Sequence, residues 1–473
     1  MRLRILVLLF ALAVLAAPVA AEAAMLTDVL DADDGQDGIV DVSLLINYTN
    51  EFEWAKISRE RNTGDAGTRL MLNQDEFDYS HVKHIMNITA KVGLYHDLEF
   101  HMNLPIHINE TYEGAMTSHW RQKAWGGWYD TKTPFQDGRP SLLWDKERVF
   151  GFPSWKSIHS GFGDMTLGFS YAPLSHERDE TFPDWVITFD IQVPSGKQTQ
   201  PGMMASASNP YKGTGRDASK KATGEDIGVG KKLLRFILQT AISKRFNVAD
   251  PYFGMNYKAP VALDGLIKNP RHEGGFLLGS EFIAYEKAPV GEKEPQWKVA
   301  FDLRFSAQIY GKGQDFNEIT DPLAWRRNLT NSDPRKPWPD DPRADPAATG
   351  AAPADGYIVY PKDSNGVAYA PPYELPIEDR YTYLEGMFGM YFTIYHYLFL
   401  RMDAYVGHRT AHFLSLPESL DEETLRPSMS TPDPTTGEIK YSGYNAQINE
   451  IGKRVRKTDA LVVGYYLTLG LTI

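Results

Sequence analysis

The chain of 473 residues contains no cysteine. Disulfides, thiol nucleophiles and thiolate metal sites are therefore excluded, and an exported chain of this size has to be stable through its fold alone. Beyond residue 17 no apolar run reaches the roughly 18–20 residues that a bilayer-spanning helix needs, so helical membrane spans are not expected. A basic run is also missing: 49 Lys and Arg stand against 61 Asp and Glu, for a net charge of -12. Such a chain is a poor nucleic-acid binder. Neither H-E-x-x-H nor G-x-S-x-G occurs, and Gly161-Phe162-Gly163-Asp164 is not followed by a helical pattern, so phosphate cradling is excluded. No cofactor, metal or enzymatic activity is expected.

What is present begins with an export signal. Arg2 and Arg4 precede an apolar run from Ile5 to Ala17, and small residues follow up to Ala21-Glu22-Ala23. The run is too short for a comfortable membrane anchor and has the anatomy of a cleaved signal peptide over 1–23. Cleavage would move the net charge from -12 to -13, since the segment holds two arginines and one glutamate. Residues 24–38 then read as an acidic N-terminal linker. Asp31, Asp33, Asp37 and Asp41 lie in and just beyond it, but the glycine and closing glutamate of a calcium loop are misplaced.

From residue 39 to 473 the chain reads as one β unit. Alternation of apolar and polar residues marks twelve segments: 39–49, 82–94, 98–109, 164–172, 185–193, 228–242, 247–258, 275–286, 297–310, 381–394, 398–408 and 460–472. Period-two alternation means strands with one apolar and one polar face. In 98–109, Leu98, Phe100, Met102, Leu104, Ile106 and Ile108 alternate with Glu99, His101, Asn103, Pro105, His107 and Asn109. Pro105 cannot donate to a ladder, so a bulge is predicted there, and Pro194 predicts a strand end.

The connections decide which face is wet. Long ones (110–161, 195–226, 311–379, 409–458) alternate with short ones (95–97, 243–246, 287–295, 395–397). Long loops on one end and tight turns on the other characterise outer-membrane barrels. Aromatics gather at the strand ends: Tyr95, Tyr171, Trp185, Phe246, Trp297, Tyr395 and Tyr397 at the short-turn end, Tyr48, Tyr112, Tyr257 and Tyr310 at the other. Two interfacial girdles are the natural reading. Lipid offers no hydrogen-bond partner, so the sheet must close. The expected fold is all-β: a closed antiparallel transmembrane β-barrel of about 12 strands, with long extracellular loops and short periplasmic turns.

If the apolar set faces lipid, the alternate set lines the lumen: Glu99, His101, His107, Asp190, Arg235, Glu281, Asp302, Arg304, Glu385, Arg401 and Asp403. Both signs are present. They fit either a narrow solute path or an ion-pair network that only holds the barrel in shape. Twelve strands lie between the filled eight-stranded barrel and the open porin. Trp120, Trp125 and Trp128 in the 110–161 loop are candidates for stacking on a ligand ring or for packing over the barrel mouth.

"GFGDMTLGFSYAPL" followed by "FDIQVPSGK" resembles the outer-membrane family named for the meta-pathway of phenol degradation. The matching residues are Gly161, Gly163 and Asp164, then Pro194, Ser195 and Gly196. The resemblance implies a barrel that takes up hydrophobic or aromatic solutes. The expected function is a channel or transporter for a small solute; the alternative is a plugged structural or ligand-binding barrel displaying long surface loops. Expected partners are outer-membrane lipid, a small solute and the barrel-assembly machinery during insertion.

Overall fold

The computed structural model describes residues 26–27, 29–30, 41–62, 71–95, 97–117, 154–176, 178–179, 181–199, 206–207, 228–263, 266–287, 297–321, 375–394, 398–415 and 454–472. In chain order the strands are β1 (Val42–Asn62), β2 (Met71–Tyr95), β3 (Leu98–Met116), β4 (Ser154–Phe162), β5 (Thr166–Leu174), β6 (Asp184–Gln192), β7 (Ser206–Ala207), β8 (Leu233–Ser243) and β9 (Ala249–Ala262). They continue as β10 (Glu273–Lys287), β11 (Trp297–Tyr310), β12 (Gly313–Gln314), β13 (Ile377–Glu378), β14 (Tyr381–Ile394), β15 (Leu398–Arg409), β16 (His412–Phe413), β17 (Val455–Lys457) and β18 (Ala460–Thr472).

Twelve of these close the wall in the order β1, β2, β3, β5, β6, β8, β9, β10, β11, β14, β15, β18, each antiparallel to its neighbours. β18 returns to β1, from Ser43↔Thr472 to Trp54↔Leu461, and seals the cylinder. The expected all-β closed barrel is thus the observed fold. Its outer face is apolar: Leu44, Phe169, Leu238, Leu303, Val406 and Leu467 are all exposed in the isolated chain. In a bilayer this belt meets lipid, which supplies the apolar solvent that a sheet with a polar inside otherwise lacks.

The turns at the periplasmic end are tight. Phe246 and Ala249 exchange both backbone hydrogen bonds, at 2.7 and 3.1 Å, and Asn247 between them has φ of 59°. Asp97, in the β2–β3 turn, has φ of 53°. Asn and Asp tolerate the left-handed region better than other side chains, which suits them to these turns. Tyr95, Tyr171, Trp185, Phe246 and Trp297 are exposed at this end. At the other end two girdle expectations need correction. Tyr310 lies on the inward parity of β11 and stacks on Tyr381, with ring centroids 4.5 Å apart. Tyr112 donates to Glu110 inside the barrel.

Tyr112 is inverted by a bulge. His84 pairs with Asn109 but Ile85 pairs with His107, so Ile108 is the extra residue and the faces swap beyond it. The bulge is therefore at Ile108 and not at Pro105, whose register with Asn87 is regular. Pro105 is accommodated differently. Its carbonyl accepts from Gly163 N at 2.8 Å, so its missing N–H faces the same neighbour. There the wall strand is interrupted: β3 pairs with β5 up to Asn103↔Thr166 and with β4 from Ile106↔Phe162. β4 and β5 are one strand broken at 163–165, and the proline sits opposite the break.

The wall is uneven. β1, β2 and β3 have 21, 25 and 19 residues, whereas β6 has 9. Roughly 9–11 residues suffice to cross the hydrocarbon layer, so the first three strands project beyond it on the extracellular side.

Candidate functional site

Inside the lower and middle barrel, charged side chains lie flat against the wall. They can do so because glycines occupy the strand between two partners. His101, Gly168 and Asp190 are register neighbours on β3, β5 and β6, and His101 Nε2 is 2.7 Å from Asp190 Oδ1. A Cβ on Gly168 would lie 1.8 Å from that carboxylate oxygen, so only glycine leaves the bond its room. Glu99 extends the row to Lys91 at 3.1 Å, and Gln239 donates to Asp190 at 2.9 Å.

A second row uses Gly279 and Gly389 in the same way. Arg401 donates to both oxygens of Asp403 (2.9 and 2.8 Å) and, through Nη2, to Asp302 at 2.6 Å. Arg304 reaches Asp302 at 3.1 Å and Tyr252 at 3.0 Å, and the Tyr252 hydroxyl donates to Asp302 at 2.5 Å. Glu281 accepts from Tyr391 at 2.5 Å and Glu385 from Tyr383 at 2.9 Å. Each of these carboxylates meets a donor from the wall itself, which is what a low-dielectric surface requires of buried charge.

The extracellular half is built otherwise. After β11 the chain turns inward. β12 pairs with β13, and Gln314 takes the amides of Lys268 and Asn269 while donating to the Leu375 carbonyl. The segment 315–321 then carries three acids into the mouth. Asp315 meets Lys231 at 2.7 Å and Arg271 at 2.9 Å, Glu318 meets Lys457, and Asp321 meets His159 at 3.0 Å. Lys457 is fully buried and also holds Glu53, which Arg409 approaches at 3.2 Å. Ile319, Leu375 and Leu414 have no exposed surface, and Asn317 donates to the Leu414 carbonyl. This inturned segment is pinned at the mouth by ion pairs.

Electrostatics follow the pairing. Burial would raise the Asp315 carboxyl, but Lys231 and Arg271 outweigh it and hold it well below the usual carboxylate range. Glu378, beside Arg271, is pushed up by burial, with the charges of Glu318 and Asp315 adding to the rise. Burial and the nearby Lys457 charge depress the His412 imidazole to about 4.

Between this segment and the wall lies a cavity of about 340 Å³. His107 and Arg235 line it; His107 bonds Glu110 at 3.1 Å and Arg235 donates to Gln192 at 2.9 Å. The expected lumen residues thus point inward but do not converge. Glu99, His101 and Asp190 form one group, Asp302, Arg304, Arg401 and Asp403 another, Glu281 and Glu385 are held singly by tyrosines, and His107 and Arg235 belong to the cavity. Trp120, Trp125 and Trp128 lie outside the described residues. Glu110, Arg271, Asp315, Arg409 and Lys457 are not marked by the sequence, because they lie on the polar upper strand halves or in loops, where no alternation marks a face. Part of the 24–38 segment also enters the barrel: Thr27 is buried with its hydroxyl 2.8 Å from Ser243, and Leu30 N donates to Glu99 at 3.2 Å.

A closed sheet with an apolar belt outside and satisfied ion pairs inside defines an outer-membrane β-barrel. No family model matches the sequence, and no curated protein matches it. Among solved structures the chain is similar to an outer membrane channel from Pseudomonas putida, with 10% identity and a TM-score of 0.37 over 93% of this chain and 100% of that one. It is similar to a FadL homologue from Pseudomonas aeruginosa, with 8% identity and a TM-score of 0.31 over 92% and 90%. It is also similar to the outer membrane protease OmpT from Escherichia coli, with 6% identity and a TM-score of 0.26 over 92% and 96%.

Proposed function

We propose that the chain is an outer-membrane channel or transporter for a small hydrophobic or aromatic solute, exported through a cleaved signal peptide over residues 1–23 and inserted by the barrel-assembly machinery. The observation that supports it is the solute-sized cavity at the extracellular mouth, set above rows in which Asp302, Arg401, His101 and Asp190 are paired within the wall. Charges satisfied in this way leave a passing solute free of competing partners. Trp120, Trp125 and Trp128 belong to the same reading as a stacking surface on the outer side. The resemblance of Gly161–Asp164 and Pro194–Gly196 to the phenol meta-pathway family points to the same solute class. Single-channel recording in planar bilayers, paired with solute uptake into liposomes, tests the proposal. A reconstituted barrel that neither conducts nor admits solute would sink it.

A second reading, a plugged structural or ligand-binding barrel displaying long surface loops, is favoured by the ion pairs that pin 315–321 in the mouth. Replacing Asp315→Asn and Asp321→Asn together separates the two. A plugged barrel starts to conduct only in the double variant, whereas a channel conducts before and after. His408 faces outward with Asp459 at 3.7 Å, and its register neighbours Leu384 and Leu461 offer no nucleophile.

A further inference from the structure

The periplasmic end of the lumen holds a carboxylate that the wall does not satisfy. Asp250, at the start of β9, is 1% exposed, and neither of its oxygens has a hydrogen-bond partner among the described residues. Two further acids lie close by: Glu281 directly opposite on β10, and Asp184 on β6, in register with Ser243. Each of those has a donor. Glu281 accepts from the Tyr391 hydroxyl, and Asp184 accepts from the backbone N–H of His176 at 2.6 Å. Arg245 and Lys298 carry the positive charge around Asp250. Arg245 is taken by Glu286 at 2.6 Å, Lys298 lies over the Tyr391 ring at 5.5 Å, and neither forms an ion pair with Asp250.

A buried carboxylate without a partner is destabilising, and a like charge directly across the ladder makes it more so. A cation supplied from outside the wall relieves both. The N-terminal segment passes this point. The Thr27 hydroxyl is 2.8 Å from that of Ser243, and Leu30 N donates to Glu99 at 3.2 Å. Ser243 pairs with Tyr252, so Asp250 is its diagonal neighbour on the same face, roughly 7–8 Å away. Cleavage after Ala23 makes Ala24 the first residue of the mature chain, three positions before Thr27. Three residues reach about 10 Å when extended, enough to bridge from Thr27 to Asp250. Ala24 then carries an α-ammonium where the uncleaved chain has a neutral peptide group. We infer that Asp250 is the binding site of the mature amino terminus: the Ala24 α-ammonium pairs with its carboxylate and ties the N-terminal segment into the periplasmic end of the lumen. The inference rests on the cleavage of residues 1–23. Maturation and attachment become one event, because the charge that Asp250 takes exists only once the leader is gone.

Labelling of the purified, exported barrel with 2-pyridinecarboxaldehyde, which reacts with α-amines and spares lysine, tests the assignment. The intact mass first fixes where the chain begins. The folded barrel should then react at least about tenfold more slowly than the same chain unfolded in urea, since an ion pair that raises the amine's pKa by one unit lowers the reactive fraction about tenfold. Asp250→Asn should restore fast labelling in the folded barrel and Asp250→Glu should keep it slow, with heat-modifiable gel migration confirming that each variant is folded. Equal rates in the folded and unfolded parent overturn the site. So does an Asp250→Asn barrel that stays protected, which assigns the protection to burial alone. Asp250→Ser replaces the Asn variant if that one does not fold, and the comparison of folded with unfolded parent needs no variant. The mass keeps the two readings apart. A chain that does not begin at Ala24 removes the cleavage and the site with it; a chain that begins there and labels fast removes the site and leaves the cleavage.

Discussion

The lower and upper halves of the barrel interior handle buried charge in opposite ways. Below, the Asp302–Arg401–Asp403 row and the His101–Asp190 row are complete within the wall, laid across Gly389 and Gly168. Above, Lys231, Arg271 and Lys457 meet carboxylates from an inturned loop, Lys457 sharing its charge with Glu53 of the wall. The difference teaches what each half can tolerate. A wall row is unaffected by what passes through the lumen, because its pairs are side by side on neighbouring strands. The inturned segment cannot leave without exposing charges paired with it, so its position is tied to the electrostatics of the mouth.

The largest way to break this contrast is Lys457→Met. It leaves Glu53 and Glu318 buried against each other without their shared cation. Removing one partner of a buried pair costs about 3–5 kcal/mol. Release of the inturned segment should show as raised single-channel conductance, together with a lower temperature for the heat-modifiable gel shift. A loss of wall stability with no rise in conductance would mean that Lys457 serves the wall alone.

Gly389→Ala should act on the lower half instead. Its Cβ would sit 2.1 Å from Asp403 Oδ1, a carboxylate that Arg401 holds in place. Overpacking of this kind costs about 1–3 kcal/mol. The same gel shift should move down while conductance stays unchanged, since no contact of the inturned segment is touched. A variant as stable as the parent would show that the row can move aside.

The smallest expected effect is on pH dependence at the mouth. Glu378 binds its proton more tightly when folded than when unfolded, so its contribution to stability falls as pH rises from about 4.5 to 7. His412 binds its proton more weakly when folded, so its contribution rises from about pH 4 to 6.5. The two offset each other, and stability should be nearly level over that window. Asp315 adds stability that disappears only below the ordinary carboxylate range. In His412→Gln the rising part is gone, and unfolding temperatures measured across pH should fall steadily from about 4.5 to 7. A flat profile in that variant would contradict the assignment to Glu378.

Eleven wall strands were legible from alternation, because one face of each meets hydrocarbon and the other does not; β8 was ambiguous, its apolar run from Leu233 to Leu238 being broken only by Arg235. "WKVAFDLRFSAQIY" is an example: every second residue from Trp297 to Ile309 faces out, and Lys298, Asp302 and Arg304 face in. The upper halves of β1 to β3 were not legible. Above the lipid neither face needs to be apolar, as Lys56, Ser58, Arg59 and Glu60 illustrate, and the bulge at Ile108 inverts the parity on which the reading depends. β4 escaped for the same reason: Trp155, Ser157 and His159 alternate with Lys156, Ile158 and Ser160, and neither set is uniformly apolar.

The sequence by itself determined the barrel, the side of each wall strand that faces lipid, and the residue types available inside it. These follow from the period of the strand and the solvent on each side, both of which are local properties. Only the tertiary structure decided which charges meet. His101 finds Asp190 across a glycine 67 positions away from the one and 22 from the other, and Lys457 finds Glu318 through a loop that turns inward. Pairings of that kind depend on strand register and on a loop's path, and no local pattern encodes either.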